Sequence, residues 1–464
     1  MISKFINRQA ELNLLQEEFR NAPSFVVLYG RRRIGKSRLI EEFTSGKDSF
    51  YFVFPDASKQ IQMREFKKQA SAYFADPYIE KLETDSWFDL FDYISRLLGK
   101  GKIVVLDEFS YAVKTDPRIL SDLQRAWDRS MSKSGMMLII SGSLLGLMRE
   151  EVLSSGSPLY GRRTRDILLE ELRPWHALDF FKDREYGIMA YMLVGGVPSY
   201  LQVSARHKSL RQLVEREFLD QNGYFYREPY FLLAEELREP RNYFSILAAI
   251  ASGNSTANGI ANYVGMETRK IFPYLEQLSL LGFIERRVPL MVREKRGRYF
   301  IRENALVSWF NLCYRKASQI ELGVASYDDE EMNEILGRGF ERLALHYIPV
   351  LSPFEVDALG SWWHRDVEID AAAVNRRLKK VLFLEAKWKE LGYNEALGII
   401  EKLKQKSSNF AWNRGRREEY FGILARNLER KKELIEKGYL VFDLRDLIRL
   451  PLPSAMPIQR SSPK

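Results

Sequence analysis

Cysteine is all but missing: Cys313 is the only one in 464 residues. A lone thiol forms no intrachain disulfide and builds no cysteine-rich zinc site. Histidine is scarce as well, with four in the chain, which speaks against a histidine metal cluster. The most apolar stretch, Met136–Met148 (MMLIISGSLLGLM), is thirteen residues long. That falls short of the ~20 a membrane helix needs. The opening MISKFINRQAEL lacks the apolar core of a secretory leader. No internal repeat or low-complexity segment is visible. The expectation is a soluble, cytoplasmic protein with no membrane partner.

What is present is ordinary globular chemistry, with 45% apolar and 29% charged residues. The length suggests about three domains. The net charge is +9, and it is unevenly placed. Glu401–Lys464 holds 15 Lys and Arg against 8 Asp and Glu, and Arg241–Arg298 holds 9 against 4. The remainder is slightly acidic. Two basic regions suit a polyanion partner for the back half, and solvated faces are the ordinary alternative. Soft boundaries at Glu236–Arg241 (EELREPR) and Ser326–Glu331 (SYDDEE) divide the chain into 1–235, 236–325 and 326–450. The last residues, 451–464, are rich in proline and serine and read as a loose tail.

Ser24–Tyr29 (SFVVLY) is a short apolar run of strand type. It leads into Gly30-Arg-Arg-Arg-Ile-Gly-Lys-Ser37, and Arg38–Phe43 comes next with helical spacing. Strand, G-x-x-x-x-G-K-S, helix is the P-loop context. Gly30 and Gly35 let backbone N–H groups curl around phosphate oxygens, and the helix N-terminus adds partial positive charge. Lys36 is placed for the β and γ phosphates, and the Ser37 hydroxyl for Mg²⁺. The nucleotide-binding set is therefore Gly30, Arg31, Arg32, Arg33, Ile34, Gly35, Lys36, Ser37 and Arg38.

Ile103-Val-Val-Leu-Asp107-Glu108 reads as a buried strand ending in two carboxylates. Ligands of open parallel sheets bind at that end of the strands. Asp107 is expected to hold Mg²⁺, and Glu108 to polarise the attacking water as general base. A third strand, Met136–Ile140, ends in Ser141-Gly-Ser143. Ser141 is either a γ-phosphate sensor or a strand cap. Arg162 and Arg163, after a tight turn, are either arginine fingers given to a neighbouring copy or surface arginines.

Phe5–Leu12 (FINRQAEL), GRRRIGKS, VVLDEF, ISGS, PLYGRR and Gly195-Gly-Val-Pro198 occur in that order. Together they resemble the archaeal-type P-loop ATPases, relatives of the AAA+ and STAND ATPases. Asn7 stands where that family commonly has glycine. The resemblance covers roughly 1–235. It implies a parallel-sheet α/β ATPase core with a helical lid, and ATP switching conformation or the assembly of a homo-oligomer.

In the middle, Tyr243–Ile250, Ser255–Val264 and Glu267–Leu281 have helical spacing, and Phe283–Arg302 alternates around Lys295-Arg-Gly-Arg298. Three helices and a hairpin make the winged-helix order. In a DNA-binding version, Thr268, Arg269 and Lys270 face the groove, and Arg296 and Arg298 touch phosphate. In a packing version they do neither.

Further on, Val367–Val374 and Lys379–Trp388 read as two strands joined by a turn at Asn375–Leu378. Period two puts Glu385 and Lys387 on one face, and a hairpin brings Asp370 to them. Asp370 and Glu385 suit Mg²⁺, and Lys387 suits activation of water and stabilisation of phosphorane charge. The alternative is a surface ion pair on an edge strand. The segment resembles the PD-(D/E)xK restriction-endonuclease-like α/β fold. Gly339-Phe-Glu341, Leu359–Trp363, Glu368-Ile-Asp370 and Leu384–Trp388 resemble, more narrowly, a C-terminal domain of unknown function attached to those archaeal ATPases. By that resemblance Glu341 is a further acidic metal ligand. Ile369 stands where the fold's name has proline. Trp362 and Trp363 either stack on bases or belong to the core.

The expected function is a P-loop ATPase, with ATP and Mg²⁺, that engages DNA and cleaves it through the C-terminal domain. The alternatives are a STAND-like nucleotide switch whose C-terminal domain only binds, and a chaperone-like remodeller without DNA affinity.

Overall fold

A computed structural model describes residues 5–237, 240–292 and 297–450. The expected tail, 451–464, and Arg296 lie outside them. The chain divides into two compact units: Met1–Glu171 with Val197–Ser199, and Leu172–Gly196 with the chain from Tyr200 on.

The first unit opens with α1 (Gln9–Arg20) and β1 (Ser24–Tyr29), then α2 (Lys36–Thr44) and β2 (Ser49–Val53). β3 (Ile103–Asp107), β4 (Met137–Gly142) and β5 (Arg165–Leu168) complete a sheet in the order β2-β3-β4-β1-β5. All of its pairings are parallel. Sheets of this kind bury both faces under helices, so their strands are apolar throughout. Val104, Val105 and Leu106 are buried accordingly, at about 1.5–3 kcal/mol for each such side chain. The C-terminal ends of β1, β4 and β3 lie side by side. They carry the Gly30–Ser37 loop, Ser141 and Asp107.

The second unit begins with helices, among them α3 (Arg184–Val194) and α4 (Tyr224–Glu236). α5 (Pro240–Ala251), α6 (Ala257–Val264) and α7 (Thr268–Leu280) come next, and β6 (Ile284–Arg287) pairs antiparallel with β7 (Arg298–Ile301). The Thr256 hydroxyl caps α6 by accepting from Gly259 N–H. The expected helices and hairpin are thus present, with ends displaced by a few residues.

After α8 (Asp329–Leu351) comes a second sheet: β8 (Ala358–His364), β9 (Val367–Asn375), β10 (Lys380–Leu391), β11 (Glu418–Leu428) and β12 (Leu440–Asp443), in order β12-β11-β10-β9-β8. β8, β9 and β10 are antiparallel, and β10, β11 and β12 are parallel. α9 (Tyr393–Ser407) is the crossover between β10 and β11. Trp362 sits in the core of this sheet with Ile369, Phe383 and Phe410.

The expected boundary at 235 differs from the observed division at Glu171. Residues 172–196 pack with the back half for a local reason. The Asn304 amide donates to Tyr191 O, and the Ser308 hydroxyl to Leu193 O. A Cβ on Gly339 of α8 would stand 2.8 Å from Met192 Cβ. Only glycine lets α8 approach α3 so closely.

Candidate functional site

β1 ends at Tyr29, and the loop turns into α2 through Arg33 and Gly35, both at positive φ (64° and 95°). Glycine takes that conformation without penalty. The Lys36 ammonium is buried and donates to Gly30 O (3.0 Å) and Arg31 O (3.1 Å). It therefore stands inside the curl of the loop. Arg38 points elsewhere: it is exposed and pairs with Glu41 and Glu42 along α2.

The Ser37 hydroxyl donates to Asp107 Oδ2 (2.7 Å), joining the ends of β1 and β3 across β4. Tyr51, on β2, donates to the same oxygen (2.6 Å). Burial and the Asp107 charge push the Tyr51 phenol far up, so it remains a donor. Asp107 Oδ1 accepts from Glu108 N–H. Glu108 sits in the left-handed region (φ 48°). That costs a non-glycine residue about 1 kcal/mol and is commonest at functional positions. The Ser143 hydroxyl holds Glu108 Oε2 at 2.6 Å. Ser141, at the end of β4 between the two strands, is fully buried and its hydroxyl makes no hydrogen bond.

An unsatisfied hydroxyl, an ammonium held within a backbone curl, and a hydroxyl–carboxylate pair are the donor set that a nucleoside triphosphate and Mg²⁺ require. Ser37 and Asp107 would hold the metal through hard oxygens. Arg162 is half-buried and pairs with Asp128, while Arg163 is buried against Leu153 O and Asp166. Val197–Ser199 of the Gly-Gly-Val-Pro segment belongs to this unit, and Pro198 Cγ lies 3.9 Å from the Cβ position of Gly35.

Three residues of this site were given no role from the sequence. Tyr51 and Ser143 become visible only once the strand order sets them beside the carboxylates. Arg8 is the third. It is buried at positive φ, and its Nη2 donates to Ile34 O (3.3 Å) and Glu170 O (2.6 Å). FINRQAEL was the available signal, since it precedes every P-loop element. Arg8→Ala leaves two carbonyls without this donor, at a cost of about 1–3 kcal/mol each where buried. We expect the KM for ATP to rise roughly tenfold or more while kcat moves less. Arg8→Lys should recover part of the loss. An unchanged KM would show that Arg8 does not support the loop.

These features are those of a nucleotide-binding site, and comparison with known proteins agrees. Residues 5–203 match the family described as an ATPase domain predominantly from Archaea. An uncharacterized protein of Methanocaldococcus jannaschii is 35% identical over 457 residues, which span 95% of this chain and 99% of that protein. The chain belongs to the archaeal P-loop ATPases. An uncharacterized ATP-binding protein of the same organism is 43% identical over 47 residues, 10% of this chain and 80% of that one. The Walker-type ATPase of Pyrococcus abyssi shares the fold, with a TM-score of 0.51 at 20% identity, over 66% of this chain and 96% of that chain. Residues 309–399 match a family described as archaeal and bacterial proteins of unknown function.

The ATPase carries a second cluster in its C-terminal sheet. The β9–β10 ladder runs from Lys380↔Asn375 to Leu384↔Ala371 and stops there. One residue on, Asp370 Oδ2 accepts from Ala386 N–H (2.9 Å), so a side chain takes over where the strands part. Lys387 Nζ donates to Asp370 Oδ2 (3.0 Å) and Glu385 Oε2 (2.8 Å). Lys406 of α9 donates to Glu385 Oε1 (2.6 Å). Asp370, Glu385 and Lys387 therefore meet as the spacing predicts. Lys406 was missed, because only the β10–α9 crossover brings it there.

Glu385 is 2% exposed, and a buried carboxylate persists only when paired. The two ammonium groups hold its pKa below the ordinary range despite burial. Burial and the Glu385 charge push Asp370 the other way. Glu341 touches solvent, yet crowding by protein and the Asp370 charge push its carboxyl up to about 7. The Asp370 and Glu385 carboxylates are balanced by the ammonium groups of Lys387 and Lys406. Among the described residues, no three carboxylate, imidazole or thiol groups already stand in ligating geometry.

The residues expected to read DNA are divided. Arg269 and Lys270 are exposed at the start of α7, whereas the Thr268 hydroxyl is bonded to Asn258. Arg298 is engaged with Glu368 (3.0 Å) and lies 4.7 Å from the centre of the Trp363 ring. A wing arginine expected on phosphate is thus tied to the C-terminal sheet.

Proposed function

We propose that this ATPase uses its nucleotide state to govern metal-dependent cleavage of DNA by the C-terminal domain, read as a restriction-endonuclease-like fold preceded by a winged helix. The observation that carries this reading is the convergence of Asp370, Glu385 and Lys387 where β9 and β10 part. In the ATPase unit, Lys36 holds the β and γ phosphates, and Glu108, aimed by Ser143, accepts a proton from the attacking water. Mg²⁺, when bound, supplies neutralisation of phosphate charge. Arg162, the more exposed of its pair, is the candidate to reach a neighbouring copy in a homo-oligomer.

In the C-terminal domain, Asp370, Glu385 and Glu341 supply hard oxygen ligands for a divalent cation. Lys387 gives up its bonds to two of them and turns its ammonium to the attacked phosphate. Glu341 holds its proton below about pH 7 and releases it above. Cation affinity therefore rises as pH passes through 7, and Mn²⁺ titrations at pH 6 and pH 8 should show it.

A nucleotide switch with a purely binding C-terminal domain is the second reading. Its support is that Lys387 and Lys406 already neutralise Glu385. The test is cleavage of plasmid and linear DNA with Mg²⁺ or Mn²⁺, with and without ATP, by wild type and Asp370→Asn. Metal-dependent cleavage lost in Asp370→Asn is the expected result. No cleavage under any condition, with ATP turnover intact, selects the switch.

A further inference from the structure

Within the second unit, the β6–β7 hairpin is anchored on the C-terminal sheet. Leu290 N–H donates to Ser361 O on β8 (3.1 Å), and the Leu290 side chain belongs to the same core as Trp362 and Ile369. Beside this anchor is a cavity of about 250 Å³. One part of its wall is the carboxylate edge, with Glu341, Glu368 and Asp370. The rest includes four arginines: Arg287 and Arg298 from the hairpin, and Arg338 and Arg342 from α8. Two elements far apart in sequence thus bring guanidinium groups to a single hollow.

These arginines are incompletely used. Each guanidinium has five N–H donors. Among the described residues, Arg342 bonds through Nη1 only, to Asn304 Oδ1 (2.8 Å) and Ile301 O (3.4 Å). Arg338 gives Nη1 to Ala251 O (2.8 Å), and its nearest carboxylate, Glu334, is 3.9 Å away. Arg287 holds Glu285 with both Nε (2.6 Å) and Nη2, and Arg298 pairs with Glu368. Burial and the Arg287 charge lower Arg342 to about 10 against the opposing pull of Glu285 and Glu341, so it stays charged. Crowded cations with spare donors favour an anion.

The planar fork of arginine matches two phosphate oxygens. A phosphodiester so held leaves the carboxylates to a cation. The cavity is smaller than the roughly 300–1,000 Å³ of ordinary ligand pockets, which suits one sugar–phosphate segment and leaves no room for a duplex. We propose that Arg287, Arg338 and Arg342 bind the backbone of a single DNA strand in this cavity and lead the next phosphate to Asp370 and Glu341. The proposal rests on the DNA-cleaving reading of the same domain.

The test is fluorescence anisotropy of a labelled oligothymidylate with the full chain in EDTA, across a salt series. Counterion release gives about 0.7 of log–log slope per phosphate contact on a single strand. Arg287→Gln with Arg338→Gln should lower the slope by about 1.4 and weaken binding at least severalfold. Arg338→Gln alone, at a half-exposed position, should lower it by about 0.7. An unchanged denaturant-unfolding transition of the second unit shows that the variants fold. An unchanged slope and affinity in folded variants overturns the proposal. Equal losses with a duplex of the same length overturn the single-strand assignment, and full displacement by millimolar inorganic phosphate makes the cavity a free-anion site instead. Altered slopes without any cleavage in Mn²⁺ leave this site standing and remove the nuclease reading. Cleavage with unaltered slopes does the reverse.

Discussion

Lys36→Ala should lower ATP turnover by about 10²–10³-fold or more, the cost of removing one preorganised charge from a phosphoryl-transfer site. The buried ammonium is bonded to Gly30 O and Arg31 O, so its loss removes both the charge and an internal tie of the loop. Nucleotide affinity should fall with turnover. Glu108→Gln should behave differently. The amide keeps the size of the side chain and can still meet the Ser143 hydroxyl, but it accepts no proton. Turnover should drop about 10²–10⁴-fold with ATP affinity little changed. Phosphate release and equilibrium nucleotide binding, measured on both variants, separate the two roles. Normal hydrolysis by Lys36→Ala would remove the P-loop assignment, and normal hydrolysis by Glu108→Gln would place the base elsewhere.

The second large effect is expected at Lys387. Its ammonium bridges Asp370 and Glu385, and Lys387→Ala leaves the buried Glu385 with Lys406 alone. Removing one partner of a buried charged group costs about 1–3 kcal/mol, which denaturant unfolding of the C-terminal unit should register. Cleavage should also be lost. Lys406→Ala is the informative control. It too deprives Glu385 of an ammonium, at 2.6 Å, and should cost similar stability. Lys387, however, still stands between the two carboxylates, so cleavage should survive in part. Equal loss of cleavage in both variants would mean that Lys387 acts only by holding Glu385 in place.

The β9–β10 hairpin and the P-loop were legible for the same reason. Both are local: an alternating or continuous apolar run fixes the strand, and a tight turn fixes the start of the next element. Asp370, Glu385 and Lys387 could be put together because they share one hairpin. Arg298 was harder. Its place near Lys295 and Arg296 in the sequence suggested an arginine offered to DNA, whereas its partner Glu368 lies 70 residues on. The β6–β7 hairpin is held by a sheet that the local sequence does not mention. The compact units divide at Glu171 and not at the expected 235 for a similar reason. Nothing in residues 172–196 announces that they will lie against α8, where Gly339 leaves room for Met192.

The sequence by itself determined β1, β3 and β4, the phosphate loop, the paired carboxylates at the end of β3 and the hairpin of the second cluster, because each depends on the conformational demands of a few adjacent residues. Tertiary structure decided which groups complete them. Strand order β2-β3-β4-β1-β5 sets Tyr51 on Asp107 and Ser143 on Glu108. The α9 crossover delivers Lys406 to Glu385, and α8 with the β6–β7 hairpin gathers arginines beside Asp370. Charges and hydroxyls act over a few ångströms, and the backbone path that brings them within that distance runs through the whole fold.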